Sequence, residues 1–98
     1  MNLVRVVVAE DYPLMRKALA HAVSAIPGFH VVGEAESRSI LFQMLFDVPT
    51  DCVVLNVCLQ DVCMLDHIPD LLSLRPGLKI LAVSADDDEL LAFHSLLG

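Results

Sequence analysis

Tryptophan is absent from this chain of 98 residues, tyrosine occurs once, and only six residues are lysine or arginine. Set against thirteen aspartates and glutamates, that shortage of basic side chains leaves a net charge of −7. A field of that sign repels phosphate backbones, so direct nucleic-acid binding by this segment is not expected. No unbroken apolar run approaches the ~18–20 residues that a membrane span requires. The opening Met1-Asn2-Leu3-Val4-Arg5 enters a strand-like block with no small-residue cleavage site behind it. No secretory signal is read, and the expected location is cytoplasmic. No glycine-rich phosphate loop follows the first apolar block, where Glu10-Asp11-Tyr12-Pro13 stands instead. That weighs against a small α/β enzyme or nucleotide-binding domain.

Cysteine is scarce and odd in number: Cys52, Cys58 and Cys63 cannot all pair within the chain. Reduced thiols in a reducing compartment are the simpler reading. With His67 they form a C-x5-C-x4-C-x3-H series. Structural zinc sites space paired ligands by ~2–4 residues, and this series does not fit. Cys52 lies inside an apolar run, where cysteine behaves as a small hydrophobe. His21, His30, His67 and His94 belong to no convincing catalytic set and read as surface or packing residues.

What the sequence does have is apolar residues, 56% of the chain, in short blocks cut by polar punctuation. Leu3–Ala9 is a β-branched block suited to a strand covered on both faces. Tyr12-Pro13 then opens a helix, with Asp11 near the N-cap and Pro13 in the first turn. Met15, Leu19, Ala22, Val23 and Ile26 recur at helical spacing, and Pro27-Gly28 ends the helix. A second strand is expected over Phe29–Ala35, then a helix from Ser37 to Phe46 that buries Ile40, Leu41, Met44 and Leu45. Cys52–Leu55 forms a third strand with Asn56 at its carboxyl end. A third helix runs from Leu65 to Leu74, starting or bending near Pro69. Leu78–Val83 is a fourth strand ending at Ser84, and Asp86-Asp87-Asp88-Glu89 opens a last helix through Leu97, favourable to its dipole.

Four strand–helix units in alternation predict one domain over residues 1–98, with a parallel sheet wound on both faces. In such sheets ligands bind beyond the carboxyl ends of the strands. Glu10-Asp11, Asn56 and Ser84 occupy three of those ends. Two carboxylates beside an amide and a hydroxyl suit a hard cation or a phosphoryl group. Each residue singly is also explained as a cap or turn residue. Their coincidence at successive strand ends favours a site.

Val6-Val7-Val8-Ala9-Glu10-Asp11-Tyr12-Pro13-Leu14-Met15-Arg16, Phe29–Ala35, Asp51–Val57 and Lys79–Ala85 follow one another in a specific order. In these segments the chain resembles receiver domains of two-component response regulators, of the kind joined to a LuxR-like helix-turn-helix. The resemblance spans nearly the whole chain. It implies a flavodoxin-like, three-layer α/β/α fold, here truncated after the fourth strand–helix unit, without the family's fifth strand, its lysine or its fifth helix. It also implies that Glu10 and Asp11 hold magnesium, that the Cys58 carbonyl is a further ligand and that Ser84 is the switch hydroxyl. Asn56 stands at the phosphoacceptor position.

Asparagine has no anionic oxygen to attack phosphorus. The resemblance therefore implies a signalling receiver, not an enzyme, that regulates transcription through protein contacts without accepting phosphate and binds Mg2+ weakly. Gln60 and Met64 replace the usual proline and glycine after the acceptor, so that loop need not keep the family's shape. The expected partners are a histidine kinase or other regulator. Self-association is expected too, because the fourth strand would be an open edge. The runner-up is an inactive fragment, or an Asp-to-Asn variant, of a phosphorelay receiver that accepts phosphate from a histidine kinase.

Overall fold

β-Branched residues dominate the first strand, β1 (Val4–Ala9), and both its faces are buried. The computed structural model describes the backbone of residues 3–86 and 89–95 and the side chains of residues 3–83. Tyr12, the residue after Asp11, is the N-cap of α1 (Pro13–Ser24), and its side chain makes no capping bond. The capping role falls to Glu10, whose carboxylate accepts the Tyr12 N–H at 2.8 Å. Proline occupies the first turn as expected.

Next come β2 (Phe29–Ala35), α2 (Arg38–Asp47) and β3 (Cys52–Asn56). Ser37 caps α2 by accepting the Ile40 N–H at 3.2 Å. After β3 the chain makes a tight hairpin of β4 (Cys58–Leu59) and β5 (Val62–Cys63). A 3-10 turn over Met64–His67 leads into α3 (Ile68–Leu74), which places Pro69 in the helix's first turn and removes the need for a bend. The last two elements are β6 (Lys79–Asp86) and β7 (Glu89–Ser95).

Strand order is β2-β1-β3-β6-β7, with β2, β1, β3 and β6 parallel. Successive residues of β1 face opposite ways. Val7 and Ala9 join Val53, Leu55 and Ile80 under Leu41 and Leu45 of α2 and Leu71 of α3. Val6 and Val8 join Val54 and Val83 under Leu19, Ala20 and Val23 of α1. The architecture is therefore the expected flavodoxin-like parallel sheet between helical layers. Burying each of these leucines contributes about 2 kcal/mol.

Several expectations fail locally. Ala22 and Ile26 do not face the sheet: both are exposed, and Ala20 is the buried residue of α1. The helix ends at Ser24, so Ile26 falls beyond the periodic face. Ile40 is also exposed, while Leu41 and Leu45 are buried.

The larger correction concerns the expected last helix. Its described part, Glu89–Ser95, is instead a strand antiparallel to β6. A short apolar run fits helix or strand equally by pattern, and the unpaired N–H and C=O groups along β6 favour the partner that satisfies them. Residues 87, 88 and 96–98 of that expected helix lie outside the described residues. The fourth strand is thus not an open edge, and the argument for self-association through it is removed.

Candidate functional site

Glu10 follows β1 and extends its ladder, since its N–H donates to the Ala35 carbonyl at 2.9 Å. The side chain is only 2% exposed. A carboxylate that deep needs donors, and among the described residues it has two: Oε1 accepts from the Asn56 side-chain Nδ2 and Oε2 from the Tyr12 backbone N–H. Asn56 ends β3, and its Oδ1 accepts the Cys58 N–H at 2.9 Å. The amide orientation follows from these partners, because a flipped amide would set oxygen against carboxylate and nitrogen against an N–H. Asn56 thus links the end of β1 to the start of the hairpin through one side chain.

The remaining expected residues are placed unevenly. Asp11 sits beside Glu10 and is partly buried. Cys58 meets the site through its main chain, with its side chain exposed. Ser84 is one residue beyond Val83, the β6 partner of Asn56, and Val83 accepts the Val57 N–H at 2.8 Å. Ser84 does not end its strand, however. β6 continues to Asp86, and Ser84 pairs with Leu91 of β7. Its side chain lies outside the described residues.

Arg16 was not singled out from sequence. Its guanidinium donates to the Glu10 carbonyl at 3.0 Å and to Glu34 at 3.2 Å. Lys17 also reaches Glu34, at 3.2 Å. A cation placed within the first turns of α1, just after an acidic pair, was the available signal. The hairpin was likewise missed, because Gln60-Asp61 is not a glycine-bearing turn sequence.

The arrangement does not fit a bound divalent cation well. Both oxygens of Glu10 and the oxygen of Asn56 already accept hydrogen bonds. Among the described residues, no group of three or more His, Cys, Asp or Glu side chains is gathered so as to hold a metal. Nor is any helix there long and apolar enough to cross a membrane.

No protein-family model matches the chain. Known structures do match. The signal receiver domain of the putative response regulator NarL from Mycobacterium tuberculosis superposes with a TM-score of 0.78 at 26% identity, covering 90% of this chain and 71% of that one. Its fold is that of a response-regulator receiver domain. A receiver-fold regulator from Burkholderia pseudomallei, whose structure holds a phosphorylated aspartic acid, a calcium ion and citrate, gives a TM-score of 0.75 at 18% identity. It covers 86% of this chain and 48% of that one. In sequence, the chain is 24% identical over 95 residues to the transcriptional regulatory protein DegU of Brevibacillus brevis. That match takes in 97% of the chain but only 40% of DegU, so the chain spans about two-fifths of that relative.

Proposed function

We propose that residues 1–98 form one receiver-type signalling domain that acts in the cytoplasm through protein contacts and does not accept phosphate at Asn56. It is a non-enzymatic module of transcription regulation. Its partner is a histidine kinase or another regulator, and it does not itself contact nucleic acid. The observation that carries this reading is the Asn56 side chain itself, at the carboxyl end of β3, donating to buried Glu10 and accepting from Cys58. Phosphoryl transfer needs an anionic oxygen there, and an amide supplies none. The amide N–H also meets the Glu10 carboxylate where a cation would otherwise offset its charge.

Magnesium binding is accordingly weak. A cation drawn to Glu10, Asp11 and the Cys58 carbonyl must compete with hydrogen bonds already made. Ser84, next to the β6 residue that pairs with Asn56, is the switch position of this reading.

The test is incubation with acetyl phosphate and Mg2+ followed by intact mass. The chain is expected to gain no phosphoryl group, and Asn56→Asp is expected to gain one on part of the population. A stable phosphoryl adduct on the unmodified sequence, mapped to this rim, would overturn the proposal.

A further inference from the structure

Cys58 and Cys63 face each other across the β4–β5 hairpin as register partners. The turn between them is two residues long, and its central pair, Gln60 and Asp61, has φ of 49° and 64°. Positive φ at both positions is the requirement of a type I′ turn, which aligns the flanking strands without a register slip. The hydrogen bonds fix which kind of pair the cysteines make. The Met64 N–H donates to the Val57 carbonyl at 2.7 Å, and the Cys58 N–H points away from the hairpin, to Asn56 Oδ1 at 2.9 Å.

Hydrogen-bonded and non-hydrogen-bonded pairs alternate along an antiparallel ladder. Cys58 and Cys63 are therefore a non-hydrogen-bonded pair, in which Cα atoms stand about 4.5 Å apart and side chains lie on one face. A disulfide needs Cα atoms about 4.4–6.8 Å apart. Leu59, the neighbour of Cys58, is fully buried, and both thiols are exposed. Cys52 is different. It lies in β3, and burial pushes its thiol up, away from the reactive thiolate.

We propose that Cys58 and Cys63 form a reversible dithiol–disulfide pair that closes the hairpin beside Asn56 under oxidation by a low-molecular-weight disulfide. One cysteine thiolate attacks a sulfur of oxidised glutathione, forming a mixed disulfide and releasing a glutathione thiolate. The second cysteine's thiolate then attacks the protein sulfur of that mixed disulfide, and the second glutathione leaves. Two protein thiols are oxidised to one S–S bond while one glutathione disulfide is reduced to two thiols. The bond would tie β5 to β4, the strand whose Cys58 N–H donates to Asn56. The proposal rests on hairpin register alone, so its failure leaves the receiver reading untouched.

The full chain is treated with oxidised glutathione, free thiols are counted, and intact mass is read. Two of the three thiols should disappear, with a mass loss of two hydrogens, and all three should return with dithiothreitol. Cleavage before Asp51, Asp61 and Asp66 separates Cys58 from Cys63, so the expected product is a pair of linked peptides. Fragmentation between Cys52 and Cys58 locates the bond without a variant. Cys58→Ser should instead trap Cys63 as a glutathione adduct. Two separate adducts on the natural chain, a bond to Cys52, a bond between chains, or three persisting thiols would each overturn the proposal.

Discussion

Two carboxylates at opposite rims of the sheet, Asp51 and Glu10, are satisfied in opposite ways. At the rim where β1 and β3 begin, Asp51 takes a backbone N–H and two guanidinium N–H groups from Arg5, at 2.8, 2.9 and 3.1 Å. Both side chains are about two-fifths exposed, at 42% and 39%. At the rim where those strands end, Glu10 is buried and its carboxylate is bonded to an amide and a backbone N–H, with no side-chain cation among the described donors to that carboxylate. Water screens the first carboxylate, so losing its partner is cheap. Among the described residues the second has two donors, so their arrangement determines whether that rim can be charged further.

The largest effect is expected from Glu10→Ala. Removing the carboxylate strands two donors, Asn56 Nδ2 and the Tyr12 N–H, at about 1–3 kcal/mol each when no water replaces it. Denaturant unfolding should show a loss of about 3 kcal/mol with an unchanged slope. A loss comparable to that of an exposed substitution would show that the Glu10 contacts do not hold the rim.

Asn56→Asp comes next. It exchanges a donor for a second carboxylate facing Glu10, an arrangement in which both groups cannot stay ionised without a counter-charge. Without metal the variant should lose about 2 kcal/mol. Mg2+ should recover most of that loss while leaving the natural chain's midpoint almost unmoved, by linkage between binding and folding. Equal Mg2+ response in the two proteins would remove the distinction drawn between asparagine and aspartate at this position.

Most of the sheet was legible because its signals are local. Apolar blocks named the four parallel strands, and Pro13 marked the start of α1, while Pro27-Gly28 put its end beyond the observed Ser24. The convergence of Glu10 and Asn56 was legible from the winding of such sheets, although they are 46 residues apart in sequence. What stayed hidden depends on partners rather than pattern. Glu89–Ser95 carries an apolar run that suits a helix, and pairing with β6 decides it as a strand. The Gln60-Asp61 turn has no glycine to announce two positive φ values. Nor could composition show that Glu10, rather than Asp11, would be the buried acid whose carboxylate caps the Tyr12 amide.

The smallest effect belongs to the opposite rim, and there pH is the sharper probe. Hydrogen bonds from the Arg5 side chain, then from its backbone N–H, hold the Asp51 carboxyl below its usual value. A depressed folded-state pKa stabilises the protein above the unfolded value of about 3.9, and that share is lost as pH falls through the folded pKa. Asp51→Asn should therefore be slightly less stable than the natural chain at neutral pH, by less than either substitution at the buried rim. The gap should close as pH falls below the ordinary carboxylate range, because protonated aspartic acid and asparagine are then both neutral partners for Arg5. Added salt should narrow the neutral-pH gap as well, since the pair is exposed to solvent. A gap constant across pH and salt would mean that Asp51 acts through its geometry before β3 rather than its charge, and the contrast between the two rims would then rest on burial alone.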